Sequence, residues 1–330
     1  MKLRIHIKKY AGIIACLAFA NLVFALDGAA QPKPSGLKMH QKGRIRVVYK
    51  TEGPNAVLPG DKNQNGIPDQ VEDALIQAVA ARLLFVEVLG FPDPLKAKHF
   101  RQAECVDIRF RGRDDRFRGN GEAYYSIQRW RVPGKPSETL CLGFTIAATL
   151  NPAKNMTPAH EFFHLIQYGA TRFMNAWYLE GMTRWSEAGL AAGDTGAASP
   201  IGAWPLPPER AAEIFEMTYG AGDAFWRPLA SRHDPDGTFP AGPALEKLRA
   251  MKYTDGTPVL KKLKLPGWRF MRDVLLELGE AEDIAFREQN YDRWSHENRF
   301  SPKNNAHILR AVEKVAARYE DMKNRNNTPP

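Results

Sequence analysis

The sequence predicts an α+β protein with a β-rich N-terminal lobe followed by an all-helical C-terminal lobe, and three observations carry that prediction. Between Cys105 and Leu150, the segments CVDIRF, GEAYYSI and TLCLGFTIA alternate or are rich in strand formers. From Met156 onward the apolar spacing is helical, over 156–168, 177–191, 209–232, 243–252, 266–279, 281–296 and 304–324, broken by turns such as ASPIGAWPLPPE. At the junction stands HEFFHLIQYG, residues 160–169, on the first helix after the strands.

The first thirty residues read as an export signal. Lys2, Arg4, Lys8 and Lys9 form a basic start, Ala11 to Ala25 is an apolar run without a charge, and small residues follow at Ala25, Gly28 and Ala30. That run is too short to span a bilayer comfortably, and no other segment is apolar enough to try. The expectation is a secreted or periplasmic protein without stable membrane insertion. A lipid anchor is the rival, since Ile13-Ile14-Ala15-Cys16 loosely resembles a lipoprotein cleavage box. The chain nevertheless stays apolar for nine more residues after Cys16, where a lipoprotein would turn polar. The remainder divides on paper into 31–195 and 196–330.

The formal charge of +9 falls to +6 once the signal, with a net +3, is set aside. This mild bias is not a nucleic-acid footprint. The densest basic stretch, RFRGRDDRFRG from Arg109 to Gly119, is interrupted by Asp114 and Asp115 and reads as a solvated loop, with docking to an acidic envelope surface as the alternative. Cys105 and Cys141 each lie in a strand-like segment. In an oxidising compartment they are expected to form a disulfide, against the alternative of two buried thiols.

In chain order, QPKPSG is a spacer and RIRVVYKTEG a strand. DKNQNGIPDQVE then leads into a helical pattern from about Pro68 to Leu89. This stretch matches the calcium loop D-x-[DN]-x-[DN]-G-x5-E position by position. Asp61, Asn63, Asn65, the carbonyl of Ile67, Asp69 and a bidentate Glu72 would supply hard oxygen ligands, with Gly66 at the sharp turn. It resembles the EF-hand-like loops of exported proteins, such as dockerin and thrombospondin type 3 repeats. No entering helix precedes it, so a structural calcium ion is expected and not a sensor. The alternative is a metal-free Asx-rich turn.

HEFFH puts His160 and His164 about 40° apart on one helical face, where both imidazoles can address one ion. Glu161 lies about 100° round, poised to take a proton from water at that ion. Such a string arises by chance in roughly one chain in a hundred of this length, so context has to decide. Sixteen residues after His164 comes WYLEGMTRWSE, which offers Glu180 as the carboxylate that completes a two-histidine zinc site. Glu187 returns to nearly the same face, as a partner for a ligand histidine or as the ligand itself. A purely packing role for this helix explains its aromatics but not the Glu-Gly.

HEFFHLIQYG followed by WYLEGMTRWSE resembles the gluzincin metallopeptidases, closest to exported bacterial metalloproteases with motifs like HEYFHxxQ and WxxEGxAxWxE. The resemblance implies a gluzincin-like fold in which His160, His164 and Glu180 hold zinc and Glu161 is the general base. MTYGAGDAFWRPLA, from Met217, is similar to the family's Tyr-x-x-Gly helix, which makes Tyr219 the oxyanion donor, with His233 as a weaker candidate. ELGEAEDIAFREQNYDRW is similar to the helical end of such proteins. Thr183 stands where small Ala is common, and no GAMEN-like segment is present, which argues against a dedicated aminopeptidase. The implied function is zinc-dependent hydrolysis of a protein or peptide substrate. The alternatives are a non-catalytic calcium-stabilised envelope or adhesion protein on a peptidase-like scaffold, and hydrolysis of a different amide.

Overall fold

The run IRVVY forms the strand β2 (Ile45–Tyr49), buried at all five positions, as expected of a strand covered on both faces. It lies inside a mixed sheet of order β1-β2-β3-β6-β4, with β5 also pairing β6. The flanking strands are β1 (Lys38–Lys42), β3 (Cys105–Arg111), β4 (Gly121–Ala123), β5 (Gln128–Trp130) and β6 (Thr139–Ala147). The central pairs β2–β3 and β3–β6 are parallel, and β1, β4 and β5 join antiparallel at the margins. This computed structural model describes residues 36–114, 116–131, 138–191 and 200–327, so the export signal expected over 1–30 and the box at Cys16 lie outside the described residues.

Parallel strands need a crossover, and between β2 and β3 it is the helix α1 (Asp69–Arg82), extended by a wider turn over Leu83–Val88. The N-terminal region is therefore a mixed α/β layer and not β alone. Ile45, Val47, Val106, Ile108, Leu142 and Phe144 on the sheet join the buried cluster that also takes in α1 and α2 (Thr157–Ala170). The opposite parity of the same strands buries Arg46, Cys105, Asp107 and Cys141.

After α2 the described elements are helical: α3 (Ala176–Ser186), α4 (Pro208–Phe215), α5 (Arg227–His233), α6 (Pro243–Arg249), α7 (Trp268–Glu288), α8 (His296–Arg299) and α9 (Asn304–Asn327). Two helical expectations change. The stretch 209–232 is two helices with a turn between them, since Gly220 and Gly222 punctuate it and Tyr219 stands in the break. Conversely, 266–279 and the first half of 281–296 merge across Gly279 into the single helix α7, which ends at Glu288 and leaves 289–295 outside any helix. A Cβ at Gly279 would come within 3.2 Å of the Ala170 carbonyl oxygen, so the glycine marks where α7 crosses the end of α2. One continuous buried cluster runs from Ile45 to Ala316 across the boundary drawn at 195.

Candidate metal centre

Helix α2 is buried from Thr157 to Gln167, so its polar side chains must find partners inside the protein. At its start, Asn155 Oδ1 accepts hydrogen bonds from the Thr157 N–H (2.9 Å) and hydroxyl (2.5 Å). His160 and His164 then stand one turn apart with ring planes at 82° and their Nε2 atoms 3.2 Å from each other. From the first half of α3, Glu180 Oε2 approaches to 3.3 Å from His160 Nε2 and 3.5 Å from His164 Nε2. The three atoms form a nearly equilateral triangle.

The opposite edge of each imidazole is tied down. His160 Nδ1 lies 2.8 Å from Glu187 Oε1, and Glu187 is gripped in turn by Arg184. His164 Nδ1 lies 2.9 Å from Gln167 Oε1, whose amide orientation is set by donation from its Nε2 to the Leu179 carbonyl and by the Thr183 hydroxyl donating to Oε1 at 2.7 Å. Both partners are acceptors, so each Nδ1 carries a hydrogen and each ring turns its Nε2 inward, toward Glu180 Oε2. Two ring nitrogens and a carboxylate oxygen therefore converge on one point, where either a proton on an imidazole or a metal ion can hold them together. Glu180 Oε2 is a buried atom lacking a well-placed hydrogen-bond donor.

Such a meeting calls for positive charge at its centre. Burial works against a cationic His160, yet the hydrogen bonds to Glu180 and Glu187 and the charge of Glu161 outweigh it and hold its pKa up to about 10. Burial would likewise raise the Glu180 carboxyl, but the charge of His164 and the contacts with His160 hold it well below the usual carboxylate range. The donor set and spacing fit zinc: bonds of about 2.0–2.1 Å in a tetrahedral shell separate neighbouring ligand atoms by about 3.3 Å. Between the two glutamates left open by the sequence, the geometry sets Glu180 on the Nε2 side and Glu187 on the Nδ1 side.

Glu161 points to the edge of the sheet. A Cβ on Gly121 would collide with Glu161 Oε1 and come within 2.6 Å of Thr157 Cγ2, so β4 can lie on α2 only with glycine there. Burial pushes the Glu161 carboxyl upward, against the lowering charge of His160 and His164. Tyr219 is brought to the site, with its ring 6.1 Å from that of His160. It is 55% exposed, yet burial of the hydroxyl and the charges of Glu180 and Glu161 raise its pKa. Its turn sits on α3 through two glycines: a Cβ at Gly181 would meet Trp226 at 2.6 Å, and one at Gly222 would meet Arg184 at 2.9 Å. His233 is elsewhere, stacked on Phe270 at 4.8 Å and near Tyr319.

Gln167, Gly121 and Tyr168 were not singled out by the sequence. Tyr168 stacks on His164 with planes 9° apart. Gln167 did carry a signal, since it falls three residues after His164 and so on the same helical face. Thr183, noted in the sequence for standing where Ala was expected, donates its hydroxyl to Gln167 and so orients it.

Among the described residues, a second group of ligand-type atoms gathers at Cys105, Asp107 and Cys141. Cys105 and Cys141 are register partners in β3 and β6 with Sγ atoms 3.0 Å apart, and both are free thiols, so the expected disulfide is not formed. A cation already sits among these atoms. Arg46 donates from Nε to Asp107 Oδ1 at 2.6 Å and from Nη2 to Cys141 Sγ at 2.9 Å. Contact with Cys105 and burial push the Cys141 thiol far up, which keeps its proton in place.

The Asp61–Glu72 loop gathers its side chains at the surface. Asp61 accepts from the Asn65 and Gly66 N–H groups (3.2 and 2.8 Å), and Gly66 has the positive φ of +82° that the turn requires. Asn63 and Asn65 donate their amide groups to the two oxygens of Glu72, at 3.0 and 2.9 Å. Their Oδ1 atoms accept from the Asn65 and Ile67 N–H groups, which fixes the amide orientation. Asp69 turns back to accept from the Lys62 N–H at 3.1 Å. No protein-family model, no curated protein and no solved structure matches this chain.

Proposed function

We propose that this chain is an exported zinc peptidase of gluzincin type. The observation that carries the reading is the buried triangle of His160 Nε2, His164 Nε2 and Glu180 Oε2, with edges of 3.2–3.5 Å and every outer tether an acceptor. Zinc bound there would polarise a scissile carbonyl and acidify water beside it.

The residues around it divide the remaining work. Glu161 takes the proton of the attacking water and passes it to the leaving amine, and its burial keeps its basicity above that of an exposed carboxylate. Tyr219 donates its hydroxyl to the oxyanion from the open side of the site. Glu187, Gln167 and Thr183 keep the imidazole lone pairs aimed inward. A peptide is the substrate class that the margin of the sheet supports. β4 is last in the strand order and lies against Glu161, so its outer edge can pair with an extended backbone.

For the Asp61–Glu72 loop we propose a weak, structural calcium site, supported by its collected oxygens and limited by the amide groups on Glu72.

The test is purified protein assayed for zinc content and for digestion of a peptide library read by mass spectrometry. Wild type is expected to hold one zinc and cleave, and Glu161→Gln to keep the zinc with cleavage about a thousandfold slower. Undiminished cleavage by Glu161→Gln overturns the assignment.

A further inference from the structure

The cleft continues beyond the metal ligands as an aromatic wall. Tyr168 stacks on His164 at 5.7 Å, Tyr125 meets Tyr168 edge-on at 6.3 Å, and the Arg299 guanidinium lies over the Tyr125 ring at 5.0 Å. The Met174 N–H donates to the Arg299 carbonyl at 2.9 Å, tying the segment after α2 to the end of α8 and drawing Arg172 towards Arg299. All four side chains are half-buried and reachable from solvent.

Positive charge accumulates at the end of this wall without a matching carboxylate. Glu282, which acts on both arginines, is already engaged by His99 Nε2 at 3.3 Å and by the Arg172 backbone N–H at 2.8 Å. Burial lowers the pKa of both guanidinium groups, and the charge of Arg172 lowers that of Arg299 further. Arg299 uses Nε on the Trp294 carbonyl at 3.1 Å, which leaves its terminal nitrogens to bind an anion.

The edge strand sets a ruler between this charge and the base. Gly121 lies over Glu161, and Tyr125, four residues on, lies under Arg299. β4 itself ends at Ala123 and Tyr125 stands in the bend that follows, so at about 3.3 Å per residue the span is at most about 13 Å, no more than four residues of extended peptide.

We propose that Arg172 and Arg299 form a carboxylate-binding subsite for an extended peptide lying along β4. It takes an acidic side chain or a C-terminal carboxylate within about four residues of the bond at Glu161. This inference rests on the peptide-binding part of the function proposed above.

Binding is the readout, so the test uses Glu161→Gln protein, zinc-loaded, with fluorescein-labelled Ala/Gly octapeptides measured by anisotropy. One arm moves a single Glu or Gln through C-terminally amidated peptides, and the other compares free-acid with amidated peptides. Binding about tenfold tighter is expected for Glu over Gln at one position, or for the free acid over the amide, and the responding arm identifies the carboxylate. Arg172→Gln or Arg299→Gln should remove the preference and leave the affinity for neutral peptides within about twofold, and Arg299→Lys should keep part of it. Equal binding of acidic and neutral peptides, or a preference that survives both glutamine substitutions, overturns the subsite. Selective binding of acidic peptides by a wild-type protein that cleaves none of them would overturn the peptidase reading and leave the subsite standing.

Discussion

Two stretches of this chain spell a metal site in sequence, and the structure completes them in opposite ways. In HEFFH with Glu180 the Nδ1 hydrogens point outward, to Glu187 and Gln167, so two ring nitrogens and a carboxylate oxygen face one another at 3.2–3.5 Å. In the Asp61–Glu72 loop the donors point inward, and Asn63 and Asn65 cover both oxygens of Glu72. The first arrangement gathers its polar atoms around a point that favours positive charge, whereas in the second the Glu72 oxygens already accept hydrogen bonds from the loop's own amides. Ligand spacing finds both. The direction of the hydrogens separates a cluster open at its centre from one whose acceptors are already occupied.

Breaking the triangle should have the largest effect. His164→Ala is expected to reduce zinc from one per chain to none and to abolish hydrolysis, while Asp61→Ala leaves both unchanged, as metal analysis and peptide digestion will report. Zinc that survives in His164→Ala would remove the contrast altogether. Loosening an outer tether should cost less: Glu187→Gln is expected to weaken zinc binding by about 10- to 100-fold in competition with a chelating dye. An unchanged affinity would mean that Glu187 does not hold the His160 ring.

The loop can be pushed toward the character of the triangle. Asn63→Asp with Asn65→Asp removes the two amides from Glu72, so the acidic loop should bind calcium more tightly and lose stability without it. Calorimetric titration should show at least about tenfold higher affinity than wild type. The smallest effect is expected for wild-type protein in about 10 mM calcium, a rise of about 3 °C in thermal midpoint if the dissociation constant is near a millimolar. A much larger rise would place the loop in the same class as the triangle.

The core of the site was legible because it is local. His160, Glu161 and His164 share one helical turn, and Glu180 falls on the next helix. What escaped the sequence depends on elements meeting in space. Gly121 matters only because β4 lies on Glu161, and Tyr168 only because its ring covers His164. The fold follows the same division. The central strands were readable from their apolar runs, whereas β1, with the sequence KMHQK, has no such pattern and owes its conformation to pairing with β2. Gly279 reads as a break by propensity and is kept helical by its crossing with α2. Cys105 and Cys141 were matched correctly as neighbours, but the Arg46–Asp107 pair that shares their face has no counterpart in the spacing of cysteines.

The outer tethers on the histidines also set an order of events. Glu187 reaches His160 from the end of α3, and Gln167 is steadied by Leu179 and Thr183 of the same helix, so the ligand geometry comes from the packing of α2 on α3. On the function proposed above, chain collapse and metal capture are thereby separable: zinc would enter as a late maturation step, filling a socket that packing has already cut to size.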